Sequence, residues 1–257
     1  MLIATWNVNS VRAREERLLR WLENHQPDAL CLQELKTPEE AFPFDAVREV
    51  GYEAAVLGQK TYNGVAILAR TEPEDVELGF GDDIDDPQAR CIAATVNGVR
   101  VVSIYVPNGS TVDSDKYTYK RLWLDRLVTY IEERELTADP FALCGDFNII
   151  PEARDANRPA EWEGTVLFNR EMRDRFQGLL DLGMTDAFRQ CREENGLYSW
   201  WDYRRLGFPK NNGLRIDHIL VSADLVERCT DASIDRDERK GQKPSDHAPV
   251  LVELDWP

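Results

Sequence analysis

Eight apolar runs of four to eight residues recur from one end of the chain to the other, at residues 2–6, 28–33, 64–69, 91–96, 99–106, 141–144, 215–221 and 248–254. Runs this short, bounded by turn residues, have the length and composition of buried strands. Three intervening stretches carry a helical repeat instead. In residues 116–135, Tyr119, Leu122, Trp123, Leu127, Tyr130 and Ile131 fall at three- and four-residue spacing, so this stripe is expected to face the core. Residues 12–23 place Leu18, Trp21 and Leu22 on one side, and residues 168–183 end at a glycine suited to a left-handed cap. Asn97-Gly98, between two apolar runs, is the turn of a two-residue hairpin and makes part of the sheet antiparallel. Strands joined as βαβ in places and as a meander elsewhere do not fit a doubly wound sheet. They predict an α/β protein with two packed sheets and helices outside. With 257 residues, 42% of them hydrophobic, and no linker or repeat, one compact domain over residues 1–257 is expected.

The five cysteines, Cys31, Cys91, Cys144, Cys191 and Cys229, are far apart in sequence and form no Cys-x-x-Cys pair, so they read as reduced, mostly buried thiols. No signal-like or membrane-spanning stretch is visible, which predicts a cytoplasmic location and no membrane partner. The 31 basic and 47 acidic residues leave a charge of −16, which excludes a broad electrostatic grip on nucleic acid. The charge is uneven, however. Residues 71–86 read as a loop with eight acids and no base, expected away from any DNA-binding face. Residues 203–215 hold Arg204, Arg205, Lys210 and Arg215 with no acid, and residues 116–126 add Lys116, Lys120, Arg121 and Arg126. Those two segments are where a polyanion is expected to dock.

Six stretches place polar side chains at the ends of apolar strands: Trp6-Asn7-Val8-Asn9, Gln33-Glu34-Leu35-Lys36, Tyr105-Val106-Pro107-Asn108-Gly109, Gly145-Asp146-Phe147-Asn148, Arg215-Ile216-Asp217-His218 and Ser245-Asp246-His247. Each alone is ordinary turn chemistry. Together Asn7, Glu34, Asp146, Asn148, Asp217 and Asp246 supply hard oxygen ligands without thiolates, a set that suits Mg²⁺ rather than zinc. Such a metal beside carboxylates and a histidine is what phosphodiester cleavage needs, because charge builds on the phosphate oxygens and an alkoxide departs.

The order and approximate spacing of these strings, from Met1 to the C-terminus, resemble the exodeoxyribonuclease III family of apurinic/apyrimidinic endonucleases, within the endonuclease/exonuclease/phosphatase superfamily. The resemblance implies a four-layered α/β sandwich, two packed mixed sheets flanked by helices, with the active site at one edge. It implies Glu34 as principal metal ligand, Asn7 near the metal, and Asp246 near a second metal position or a bound water. Asp146 resembles the base for the attacking water and Asn148 a residue fixing that water or the phosphate. Tyr105 resembles a tyrosine close to the scissile phosphate, as donor or phenolate. His247 would bond the phosphate in the transition state, oriented by Asp217. Asn9, Arg12 and Lys36 would border the phosphate. Trp200, Leu214 and Ile216 would wall a pocket for a flipped abasic deoxyribose.

The expected activity is Mg²⁺-dependent incision of duplex DNA 5′ to abasic sites, Mn²⁺ substituting, by a monomer that also acts as a 3′-5′ exodeoxyribonuclease and 3′-phosphodiesterase/phosphatase in base excision repair. Two alternatives stand beside it: the same fold acting on RNA, a phospholipid or an inositol phosphate, and a non-catalytic binding relative. Of the other histidines, His218 is turned by strand alternation to the opposite face from Asp217 and reads as structural, and His25 reads as a solvated helix-end residue.

Overall fold

The computed structural model describes every residue, Met1–Pro257, and divides twelve strands equally between two sheets. The first contains β1 (Leu2–Asn7), β2 (Ala29–Gln33), β3 (Glu53–Leu57), β4 (Val65–Ala69), β11 (Cys229–Ile234) and β12 (Val250–Leu254), in the order β11-β12-β1-β2-β4-β3. The second contains β5 (Glu74–Leu78), β6 (Cys91–Val96), β7 (Val99–Tyr105), β8 (Phe141–Asp146), β9 (Met184–Asp186) and β10 (Asp217–Ser222), in the order β5-β6-β7-β8-β10-β9. Both are mixed: β1 with β2 and β7 with β8 run parallel, the other pairs antiparallel. The Asn97-Gly98 turn joins β6 to β7 with Val96 opposite Val99.

Strand alternation builds the layers. From β1 and β2, Ile3, Ala29 and Cys31 enter the space between the sheets, where they meet Ile92, Val101, Ala142 and Ile219. The residues between them, Ala4, Trp6, Leu30 and Leu32, turn outward onto Leu18, Trp21 and Leu22 of α1 (Val11–His25). The second sheet likewise sends Leu143 and Val102 outward onto α3 (Asp115–Glu133) and α4 (Arg170–Asp181), while α2 (Phe44–Glu49), α5 (Ala187–Cys191) and α6 (Ala223–Val226) are short. Strands covered on both faces must be apolar throughout, which is why they read as runs rather than as alternation. The result is the four-layered sandwich expected.

Several expectations need correction. Residues 71–86 are not one loop: Glu74–Leu78 is the edge strand β5, exposed along its whole length. Acids on an edge strand discourage pairing with another chain, a structural use for a charge that had none in the sequence. Arg126 forks onto Asp82 at 2.7 and 2.9 Å and onto Asp86 at 2.8 Å, so this arginine of the basic segment is engaged by two of the eight acids. On α3, Leu122 leaves the core stripe and is exposed. Arg215 is wholly buried, ion-paired to Asp155 and Asp186, and lends no charge to a groove. His25 is not simply solvated: it stacks on Trp21 at 4.5 Å and lies 3.3 Å from Asp235. Cys191 and Cys229, far apart in sequence, bring their sulfurs within 3.3 Å.

Candidate active site

Sheet register gathers the polar residues at one edge of both sheets. Tyr105 closes β7 and Asp146 closes β8 directly beside it, and across the antiparallel step Asp146 faces Asp217 at the start of β10. In the other sheet Asn7 closes β1 opposite Gln33, so Glu34 follows at the same edge, and β12 runs antiparallel to β1, so the preceding Asp246 and His247 return there. Gly145 permits the approach of β7 to β8, since a Cβ there would lie 2.0 Å from the Ile104 carbonyl oxygen. The loops beyond the strands interlock: Ser10 N–H donates to Glu34 O at 2.7 Å and Lys36 N–H to Asn63 O at 2.9 Å. Asn9, Glu34, Lys36 and Asn148 all take positive φ near 50°, backbone strain concentrated at the site edge.

One ligand atom each from Glu34, Asp146 and His247 lies within 4.8 Å of the others. The Asn7 amide bridges the two acids, donating 2.9 Å bonds to Glu34 Oε1 and Asp146 Oδ2, while its oxygen accepts from Asn9 N–H at 3.0 Å. Asn7 therefore presents its nitrogen to the carboxylates. Lys36 Nζ lies 2.7 Å from Glu34 Oε2 and donates to Asn9 Oδ1. Burial opposes the charge of Glu34, but Lys36 and the Asn7 bond outweigh it and hold its pKa below the usual value. Asp246 stands one step out, its oxygens accepting from Asn9 at 2.9 Å and Trp200 Nε1 at 3.1 Å. Asn148 shapes the site through its backbone, its N–H donating to Asp146 Oδ1 at 2.9 Å while its side chain is engaged by Asn108 and the Val106 carbonyl. Arg12 is exposed on the first turn of α1.

His247 Nδ1–H donates to Asp217 at 2.8 Å, and Nε2 lies 3.8 Å from Asp146 Oδ2. Burial disfavours its charge, but Asp217, Asp146 and Asp246 overcome this and push its pKa up, which favours the imidazolium with a proton on Nε2. Burial raises Asp146 in turn, offset by His247 and aided by Asp217. Burial, then the charges of Glu34 and Asp146, put the Tyr105 phenol well above its usual value, with Arg90 stacked 4.6 Å over the ring. The raised value favours the protonated phenol over the phenolate. It borders a cleft of about 670 Å³ that Lys116, Tyr119, Arg90 and Tyr62 also line. The acidic stretch reaches this rim through Asp86, which accepts from Tyr119 and from the Gln88 N–H, and none of its side chains bonds to Glu34 or His247.

The apolar wall divides. Trp200 is half-buried at the rim, 6.2 Å from Trp162, whereas Leu214 and Ile216 are 1% and 3% exposed within the core. The sequence reading missed the supports. Buried Lys120, expected to meet phosphate, instead donates to the carbonyls of Asn148 at 2.7 Å, Val166 at 2.9 Å and Asn108 at 3.3 Å. Ser199 Oγ accepts from Asp217 N–H at 3.1 Å, and Arg14, Arg17 and Arg239 take carbonyls of residues 238–245, carrying the segment that ends at His247. Isolated polar residues of this kind have no sequence pattern; only their burial gives them away.

With Asp217 and Asp246 nearby, the acids outnumber the cations Lys36 and His247, and all the anionic donors are hard oxygens. That donor set fits a divalent cation, and such a centre at the edge of two packed sheets defines a metal-dependent phosphoester hydrolase. The sequence profile of the Endonuclease/Exonuclease/phosphatase family matches residues 4–247. Exodeoxyribonuclease III of Haemophilus influenzae is 39% identical, covering 99% of this chain and all of that protein. The structure of the 3′-5′ exonuclease NExo from Neisseria meningitidis superposes with a TM-score of 0.97 at 44% identity, covering both chains in full; NExo has also been solved as a 3′ phosphatase bound to a product DNA hairpin. An AP endonuclease from Archaeoglobus fulgidus gives 0.96 at 37% identity over 99% of each chain. The chain belongs to the endonuclease/exonuclease/phosphatase family, in its exodeoxyribonuclease III branch, and is a hydrolytic nuclease of the DNA repair type.

Proposed function

We propose that this nuclease hydrolyses, with Mg²⁺, the phosphodiester 5′ to abasic sites in duplex DNA and also processes 3′ ends, acting as a cytoplasmic monomer with residues 1–257 as one catalytic domain. The observation that carries the reading is the convergence of Glu34, Asp146 and His247 within 4.8 Å, with Asp217 behind the histidine. Glu34 is the principal ligand, with Asp246 bordering a further position and Asn7 holding the acids apart. When bound there, the cation would supply positive charge for the phosphate oxygens and the departing alkoxide. Asp146, raised by burial, accepts the proton of the attacking water. His247 Nε2–H and the Tyr105 hydroxyl donate to the phosphate oxygens as negative charge develops. Asn148 fixes the Asp146 carboxylate, and Asn9, Lys36 and Arg12 border the phosphate. A small set of such contacts makes binding fall steeply with salt.

Burial of Leu214 and Ile216 favours a second balance of activities, in which Trp200 meets a terminal group and 3′-end processing dominates incision. A duplex oligonucleotide carrying one abasic analogue, and a second carrying a 3′-phosphate, separate the two. Wild type is expected to cut the lesion strand with Mg²⁺ and not with chelator, and Glu34→Ala and His247→Asn to fail on both substrates. Unimpaired cleavage by both variants contradicts the site assignment. Cleavage of intact duplex without regard to the lesion contradicts the pocket.

A further inference from the structure

Two thiols outside the active site are placed for reaction with each other. Cys191 ends α5, which follows the outermost strand of the second sheet, and Cys229 opens β11, the outermost strand of the first. Their sulfurs lie 3.3 Å apart, 38 residues apart in sequence, and both side chains are partly exposed, unlike buried Cys31, Cys91 and Cys144. Arg192 and Asp231, one and two residues along, form an ion pair that holds the same two segments together. We propose that Cys191 and Cys229 form a reversible disulfide, a modification site that staples the edges of the two sheets when a hydroperoxide is present.

Bringing two sulfurs from contact to bonding distance needs little more than side-chain rotation when the backbones already hold them side by side. The chemistry balances with the hydroperoxide as the sole oxidant. The Cys191 thiolate attacks the peroxide oxygen and releases an alcohol or water, leaving a sulfenic acid. Cys229 sulfur then displaces water from it, so two thiols become a disulfide as the peroxide is reduced. Exchanging the roles of the two sulfurs gives the same disulfide with the same balance. Closing a long loop between two sheets restricts the unfolded chain, so the oxidised protein is expected to melt on the order of 10 °C higher. No side chain of the proposed catalytic set touches either sulfur.

The test is a peptide map of the folded full-length protein after hydrogen peroxide, with free thiols blocked before digestion. The expected result is one intramolecular Cys191–Cys229 cross-link, a protein two hydrogens lighter, the raised Tm, and reversal of both by a dithiol reductant with incision unchanged. Cys191→Ser and Cys229→Ser should lose the cross-link and the Tm shift while keeping the reduced protein's Tm. Accumulation of sulfinic or sulfonic acid on Cys191 with Cys229 still free overturns the proposal. So does a cross-link formed only between molecules.

Discussion

His247 and His218 are both shut away from solvent, and each neighbours or faces the same aspartate, yet they are held in opposite charge states. Asp217 points between the sheets and takes His247 Nδ1–H at 2.8 Å, with Asp146 and Asp246 adding negative charge. His218, the next residue, points outward. Its Nδ1 lies 2.9 Å from the Arg215 guanidinium, Nε2–H donates to the Ile149 carbonyl at 3.1 Å, and Phe147 and Phe176 meet the ring edge-on. Burial and then Arg215 lower its pKa to about 4. Burial opposes both charges, so what separates the two is the sign of the nearest fixed charge. One side of β10 is arranged for chemistry and the other for folding.

The largest expected effect lies on the His247 side. His247→Asn removes a donor aimed at developing charge and should cost about 10³-fold in kcat, and Asp217→Asn should cost about 10²-fold or more by freeing the ring. Steady-state incision beside thermal melts checks both. The His218 side should behave in reverse. Arg215→Met leaves Asp186 without its arginine in the core and Asp155 with Arg189 alone, and should lower stability by about 3–5 kcal/mol, read by urea unfolding.

Next in size is a pH effect. The unfolded chain takes up a proton at His218 near 6.5, which the folded protein refuses until about 4. The contribution of His218 is therefore complete above 6.5 and is lost as pH drops toward 4, by on the order of 3 kcal/mol. Asp155 continues the fall. Burial works against its charge, but Arg215 and Arg189 hold it at about 2, so its contribution is lost as pH falls from 3.8 toward 2. His218→Phe should flatten the upper window and leave the lower one. The smallest effect is expected for Arg14→Ala, which frees the Asn9 and Pro244 carbonyls and should lower kcat about 3–10-fold as the His247 segment loosens.

The same contrast explains how much was legible in the sequence. Apolar runs gave the doubly covered strands and Asn97-Gly98 gave the hairpin. Strands such as β5 and β11 escaped because edge strands are polar and lack the run. The site strings were legible because catalysis needs particular residue types at strand ends, and alternation correctly sent His218 away from Asp217. What stayed hidden was pairing through space. Arg215 read as surface charge because nothing in its segment reveals Asp155, sixty residues away, and Lys120 read as a phosphate contact for the same reason. The approach of Cys191 to Cys229 depends on where two different sheets end.

The most direct measurement is a nitrogen-resolved NMR spectrum of the imidazole rings in the metal-free protein at pH 7.5, with His218→Phe and His247→Asn used to assign the signals. The structure predicts both ring nitrogens of His247 protonated, and a single protonated nitrogen on His218, Nε2 bonded to the Ile149 carbonyl. A neutral His247 beside Asp217, or a charged His218 beside Arg215, would contradict the claim that fixed charge divides the two sides of β10.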